Sequence, residues 1–267
     1  MVKVMGIVNV TPDSFSDGGR YLDPEAGLAH ARRLIAAGAD ILDIGAESTR
    51  PGAEPVGEDE EIARAVPLIA AIRAESDVAI SIDTMKPRVA RAAVAAGANL
   101  WNDVAALRFL PDAPAVAAEL GCEVVLMHMQ GEPRTMQADP QYGDVVAEVC
   151  AFLAERAQAA MAAGVARDKI WLDPGIGFGK RLEHNLALLA HLEEIAGLGF
   201  PVLLGVSRKR FIAALDPAAG EAPDARLAGS LAAALAGVQA GAAALRVHDV
   251  AETVQALKVW SAIAAAR

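Results

Sequence analysis

The 267-residue sequence has few of the features that usually betray a function. Its only cysteines are Cys122 and Cys150, too few for a disulfide framework. Both are expected to be inert apolar filler in a protein of the reducing cytosol. Lysine is scarce, with six against eighteen arginines, and the net charge is -10. A chain this acidic has no basic surface with which to neutralise nucleic-acid phosphates, so a nucleic-acid partner is excluded. The five histidines are scattered, no Cys/His pair has zinc-ligand spacing, and no G-x-S-x-G elbow occurs. The N-terminal MVKVMGIVNV carries no basic region followed by a long apolar core, so no secretory signal is expected. One uncharged run, from Leu227 to Leu245, is long enough to test as a membrane span. It is mostly alanine and is interrupted by glycines and Gln239, so a buried helix, a turn and a buried strand are expected instead.

A second absence concerns residues 173–180, DPGIGFGK, which look like a phosphate-binding loop. A P-loop needs Gly-Lys followed by Ser or Thr, and here Arg181 follows Lys180, while Pro174 stands where the first glycine should be. Gly175, Gly177 and Gly179 do not fit the dinucleotide fingerprint G-x-G-x-x-G either. The loop has to be interpreted from its setting.

What the sequence does contain is one phrase repeated: an alanine-rich helix, a glycine turn, then a short apolar run. AAGADILDIG (36–45), AAGANLWND (95–103) and QAGAAALRV (239–247) show it most clearly. The glycine stands where a helix C-terminus needs a left-handed residue. The runs do not alternate, as expected for parallel strands buried on both faces. Strands are expected near 3–9, 39–44, 78–82, 98–101, 122–127, 169–172, 201–205 and 243–247. Helices are expected near 24–37, 58–74, 86–96, 112–120, 144–163, 183–196, 224–239 and 249–265. Eight strand-helix pairs in one chain predict an α/β (β/α)8 TIM barrel, a single domain over 1–267, with an open doubly wound sheet as the alternative.

Barrel active sites form where the strands run out. The expected strand ends carry Asn9, Asp43, Asp83, Asn102-Asp103, Met127-His128, Asp173, Ser207-Arg208-Lys209 and Arg246 with His248. One strand ending in Asp is ordinarily a helix cap or a turn; eight converging on one rim are a candidate site. Asp83, Asn102 and Asp173 offer acceptors suited to a flat heterocycle with N–H donors. Lys209, Arg246 and His248 suit a carbonyl oxygen and a phosphate. For Arg246 and His248 an ion pair with Asp249 or a helix-start interaction is the plainer alternative. TPDSFSDGG and ESTRPGAEPVG are long, polar loops that could cover a second substrate or be ordinary connections. A metal, if present, would be a hard cation held through oxygen ligands and phosphate.

In chain order, GIVNVTPDSFSDGG (6–19), DIGAESTRPG (43–52), SIDT (81–84), WND (101–103), LMHMQG (126–131), DPGIGFGK (173–180), SRK (207–209) and RVHDV (246–250) resemble the dihydropteroate synthases. These are folate-pathway enzymes targeted by sulfonamides. Ala46 departs from the second glycine that the family more often has, without removing a functional group. The resemblance implies a transferase joining the methylene carbon of 6-hydroxymethyl-7,8-dihydropterin pyrophosphate to the amine of p-aminobenzoate, by an SN1-like loss of pyrophosphate with Mg2+. It implies pterin contacts from Asp83, Asn102, Met127, Asp173, Phe178, Lys209 and Arg246. Phe15, Thr49, Arg50, Pro51 and Lys209 would meet p-aminobenzoate; Asn9, Arg246 and His248 would meet pyrophosphate, with Asn9 on the metal. Catalytic roles would fall to Asp17, Lys209, Arg246 and His248. A cytoplasmic homodimer is implied as well. A methyltetrahydrofolate-dependent methyltransferase barrel and a non-catalytic pterin-binding paralogue are the rival functions.

Overall fold

The computed structural model describes residues 2–10, 24–47, 55–131, 135–219 and 222–266. Eight strands alternate with the helices: β1 (Lys3–Asn9), β2 (Ile41–Gly45), β3 (Ala79–Asp83), β4 (Leu100–Asp103), β5 (Glu123–Met127), β6 (Ile170–Asp173), β7 (Leu203–Leu204) and β8 (Ala244–Val247). The helices of the first half are α1 (Pro24–Ala36), α2 (Glu58–Glu75), α3 (Pro87–Ala95), α4 (Ala113–Leu120) and α5 (Val145–Ala162). Those of the second half are α6 (Leu182–Ala190), α7 (Leu192–Ala196), α8 (Arg210–Leu215), α9 (Leu227–Gln239) and α10 (Val250–Ala265).

The strands are hydrogen-bonded in the order β6-β5-β4-β3-β2-β1-β8-β7, and every pair is parallel. No strand order reverses, which rules out the doubly wound sheet, whose defining feature is such a switch point. The seam between β6 and β7 closes through a parallel bridge of Leu172 with Val202 and the bond Leu172 N to Pro201 O at 2.9 Å. The fold is a (β/α)8 barrel.

Local chemistry explains the elements. Gly38, Gly97 and Gly241, the turns of the repeated phrase, all have left-handed φ, at 99°, 116° and 102°. Helix α2 opens on Glu58, Asp59, Glu60 and Glu61, which complement the positive end of its dipole. Helix α5 starts at Asp144, whose carboxylate accepts from the N–H groups of Val146 and Ala147. The uncharged Leu227–Leu245 run resolves into α9, a glycine turn and the start of β8, and among the described residues no helix is long and apolar enough to cross a membrane. Cys122 and Cys150 are free thiols, and burial pushes both away from the reactive thiolate.

Two expected elements differ. The single helix expected over 183–196 is α6 and α7, meeting at His191, whose backbone turns to φ -121° and ψ 31°. No glycine or proline marks that break. The segment 210–215, expected as loop, is α8, too short to show an apolar stripe.

Among the described residues the buried apolar side chains form three separate clusters, one of them, of Val104, Met127, Met129 and Met136, at the C-terminal ends of β4 and β5. A large one fills the space between the strands and the surrounding helices. A smaller one, built from Met5, Ile41, Leu100, Val125, Trp171, Leu203 and Ala244, plugs the inside of the barrel. It forms the floor beneath the strand ends.

Candidate active site

Residues i and i+2 of a strand share a face. Two residues beyond the apolar floor, the inward positions therefore become Asp43, Asn102, Met127, Asp173, Gly205 and Arg246, with Ile7 of β1 beside Asp43. The polar residues among these except Asp43, with Met127 and Gly205 and together with Asp83, Val104, Gly175, Ile176, Phe178 and Lys209, line a cleft open to solvent.

Arg246 organises the charges. Its Nε donates to Asp43 Oδ2 at 2.6 Å and its Nη2 to Asp83 Oδ2 at 2.7 Å. Burial works against the guanidinium, but Asp43 and Asp83 outweigh it, so Arg246 stays protonated well beyond its ordinary range. Asp83 Oδ1 is buried and has no partner among the described residues. Burial pushes this carboxyl up to about 7, against the pull of Arg246. Asp173 is raised by burial too, although its Oδ1 accepts from Gly175 N at 2.6 Å. Asn102 turns its amide toward Asp43, at 3.4 Å from Oδ2. A desolvated carboxylate oxygen without a donor is expensive unless a ligand supplies one. The arrangement is made for N–H groups.

The opposite wall is cationic. Lys209 Nζ sits 4.1 Å from the centroid of Phe178, a cation–π contact. Burial and the nearby Arg246 pull its amine down to about 8. The residue before it, Arg208, has φ 59°, a strained conformation for a non-glycine. The strain is held from three sides: Arg208 N donates to Ser230 Oγ at 2.9 Å, Arg226 donates to Arg208 O at 3.0 Å, and the guanidinium pairs with Asp249 and Asp224. That turn aims Lys209 into the cleft. It also shows what Asp249 does, since its partner is Arg208 and not Arg246.

The third wall is the loop DPGIGFGK. Its glycines all have left-handed φ, and two are forced by close approach. A Cβ on Gly175 would lie 1.9 Å from His128 O, and one on Gly179 would lie 2.4 Å from Gln130 O. No other residue fits there.

The profile of the family described as pterin binding enzyme matches residues 5–248. The dihydropteroate synthase of Escherichia coli (strain K12) is 48% identical over 264 residues, covering 99% of this chain and 92% of the relative. The chain belongs to the dihydropteroate synthase family. The solved Xanthomonas albilineans dihydropteroate synthase with 4-aminobenzoic acid is 54% identical with a TM-score of 0.92, covering 99% of this chain and 93% of that one. The Burkholderia cenocepacia dihydropteroate synthase complexed with 7,8-dihydropteroate is 49% identical with a TM-score of 0.90, covering 100% and 92% respectively.

Of the family positions named from sequence, Asp83, Asn102, Met127, Asp173, Phe178, Lys209 and Arg246 meet around the one cleft. His248 is not among its lining residues. Its Nδ1 is 3.0 Å from Ser207 Oγ, and burial with Arg208 and Arg246 nearby lowers it to about 4, so it is a neutral imidazole at pH 7. Asn9 ends β1, and its Oδ1 lies beside Gly45, 3.4 Å from where a Cβ would stand. Phe15, Asp17, Thr49, Arg50 and Pro51 lie outside the described residues. For the Mg2+ that the family implies, the described residues contain no cluster of three acidic, His or Cys side chains. Asn9 supplies one neutral amide oxygen, a donor set that fits an ion carried chiefly by pyrophosphate and water.

Three features escaped the sequence. The pairing of Asp43 with Arg246 spans 203 positions. Lys180 is buried behind the loop instead of facing a ligand. Lys86 donates to Glu47, to Glu61 and to Val56 O at 2.6 to 2.8 Å, fixing the two flanks of segment 48–54. Only one signal was available beforehand: Lys86 and Lys180 are two of just six lysines.

Proposed function

We propose that this dihydropteroate synthase binds the dihydropterin edge-on to Asp83, Asn102 and Asp173, with its ring between Met127, Phe178 and Arg246. Lys209 reaches its carbonyl side and bounds the p-aminobenzoate subsite, which Phe15, Thr49, Arg50 and Pro51 complete. The observation that carries the assignment is Asp83 Oδ1, buried at the cleft with no donor among the described residues, in a site whose other wall is Lys209 over Phe178.

The reaction follows from the two electrical halves. The bond from the pterin methylene carbon to the pyrophosphate oxygen breaks, and its electron pair leaves with pyrophosphate. Asn9, Arg246 and the His248 N–H stabilise the charge that gathers on the leaving group, contacts of a kind each worth about a hundredfold in rate. Asn9, with oxygens of the pyrophosphate itself, would hold a Mg2+ ion, which would supply further neutralisation of that charge. Asp83, Asp173 and Asp17 favour the cationic methylene left behind. The aniline nitrogen then forms the new C–N bond and gives up one proton to solvent; it is nucleophilic enough to need no dedicated base. We assign the whole reaction to one domain, 1–267, acting as a cytoplasmic homodimer.

The test is pyrophosphate release from dihydropterin pyrophosphate and Mg2+, with and without p-aminobenzoate. Release that depends on p-aminobenzoate and yields 7,8-dihydropteroate is expected. Tight pterin binding without that product would point to a non-catalytic paralogue.

A further inference from the structure

The loop from Gly175 to Gly179 has neither helix nor strand, yet Gly175, Ile176 and Phe178 form one wall of the cleft. Backbone groups in such a segment have no ladder to join and must find other partners. One bond is internal to the loop, Phe178 N donating to Gly175 O at 3.0 Å, and side chains provide others. Gln137 Nε2 donates to Gly177 O at 2.5 Å, Tyr142 Oη donates to Gly179 O at 2.7 Å, and Asn185 Oδ1 accepts from Gly177 N at 2.7 Å.

The centre of this network is Lys180 Nζ. It donates to Gly175 O and to Phe178 O, each at 3.0 Å, and lies 2.9 Å from Nδ1 and 3.3 Å from O of His128. When protonated, the amine carries three N–H donors and no acceptor, so in that form the imidazole nitrogen accepts. Lys180 is 3% exposed and does not line the cleft. A buried cation is costly unless its donors are used, and here each has an acceptor in the loop or at the end of β5. Burial pulls the amine down to about 7, with Asp173 opposing that fall.

Lys180 is thus one contact away from the cleft at two points. Gly175, whose carbonyl it holds, donates its N–H to Asp173 Oδ1. Phe178, whose carbonyl it also holds, carries Lys209 against its ring. We propose that Lys180 is a positioning residue for the pterin subsite, holding Gly175 and Phe178 against His128 so that Asp173, Phe178 and Lys209 keep their places. This rests on the synthase assignment above.

Three proteins are compared: the wild type, Lys180→Met and Tyr142→Phe. For each, direct titration with dihydropterin pyrophosphate is combined with the KM for both substrates and a urea midpoint. Misplacing a recognition wall by a fraction of an ångström costs about tenfold or more, so Lys180→Met should raise the Kd and KM for dihydropterin pyrophosphate by at least that factor. Its KM for p-aminobenzoate, which shares only Lys209 with the braced wall, should rise by a clearly smaller factor, a split that general loosening of the fold would not give. Tyr142→Phe, which removes one anchor at the edge of the same wall, should shift the pterin constants by about threefold in the same direction. Unchanged pterin binding in a folded Lys180→Met overturns the proposal. If that variant does not fold, unchanged pterin binding in Tyr142→Phe overturns it. A wild type that binds the pterin but forms no dihydropteroate would sink the synthase assignment alone, because the titrations read the brace without turnover.

Discussion

The floor and the mouth of the barrel are built from the same strands, two residues apart, and could hardly differ more. Ile41 is followed on its face by Asp43, Leu100 by Asn102, Trp171 by Asp173 and Ala244 by Arg246. One step of two residues, about 6.6 Å along a strand, takes the interior from a dry apolar plug to a layer of buried charges. The floor is stabilised by what it removes from water. The polar layer of the mouth gains nothing that way, and Arg246 offsets the cost only in part, since Asp83 Oδ1 has no partner among the described residues. The lesson is that the floor serves stability alone, whereas the mouth ties recognition to the pairing of its buried charges.

The sharpest way to break the contrast is Arg246→Ala. It strands Asp43 and Asp83, so the urea midpoint should reveal a loss of about 3–5 kcal/mol, as for other halved buried ion pairs. Turnover should fall by about a hundredfold or more, measured as pyrophosphate release. Leu100→Ala in the floor should cost about 2–5 kcal/mol, while the KM of whatever folds stays at the wild-type value. A raised KM there would show that the layers are not independent. Asp173→Asn should do the reverse, weakening dihydropterin pyrophosphate by about tenfold in a titration while leaving the urea midpoint equal or higher.

A pH series sharpens the comparison further. Asp83 in the folded chain sits near 7, above its ordinary 3.8. Between those values the folded protein keeps a proton that the unfolded chain has released, so this carboxyl's contribution is full below the lower value and lost as pH rises through the upper. His128, lowered by burial to about 3, acts in the opposite sense, so the difference between wild type and Asp83→Asn is the quantity to measure. The wild type should lose stability relative to that variant as pH rises from about 4 to about 7. A flat difference would place the proton elsewhere. The smallest effect is expected from Ser81→Ala, whose buried Oγ has no partner among the described residues. Its removal should change the urea midpoint by less than about 1 kcal/mol.

How much of this was legible beforehand depends on range along the chain. The glycine turns and the non-alternating apolar runs are local signals, and they located all eight strands of the barrel to within about two residues, within the usual scatter of element ends. Strand ends are local too, so Asp83, Asn102, Met127, Asp173, Lys209 and Arg246 could be named, whereas Val104, Ile176 and Gly205, apolar or without a side chain, carried no such signal. The break at His191 and the short helix α8 carry no breaker and no stripe, and nothing local announced them.

By itself, then, the sequence determined the repeat, the parallel barrel and the polar rim, because each depends on neighbours a few residues apart. Tertiary structure decided which charges meet. Closure brings β8 against β1, and so Arg246 within reach of Asp43 and Asp83. It also folds Lys180 inward onto His128, so that a residue that looks like a phosphate ligand in sequence serves as a buried donor to backbone. Which acceptor a lysine finds is set by what the fold places around its end, and that information is spread over the whole chain.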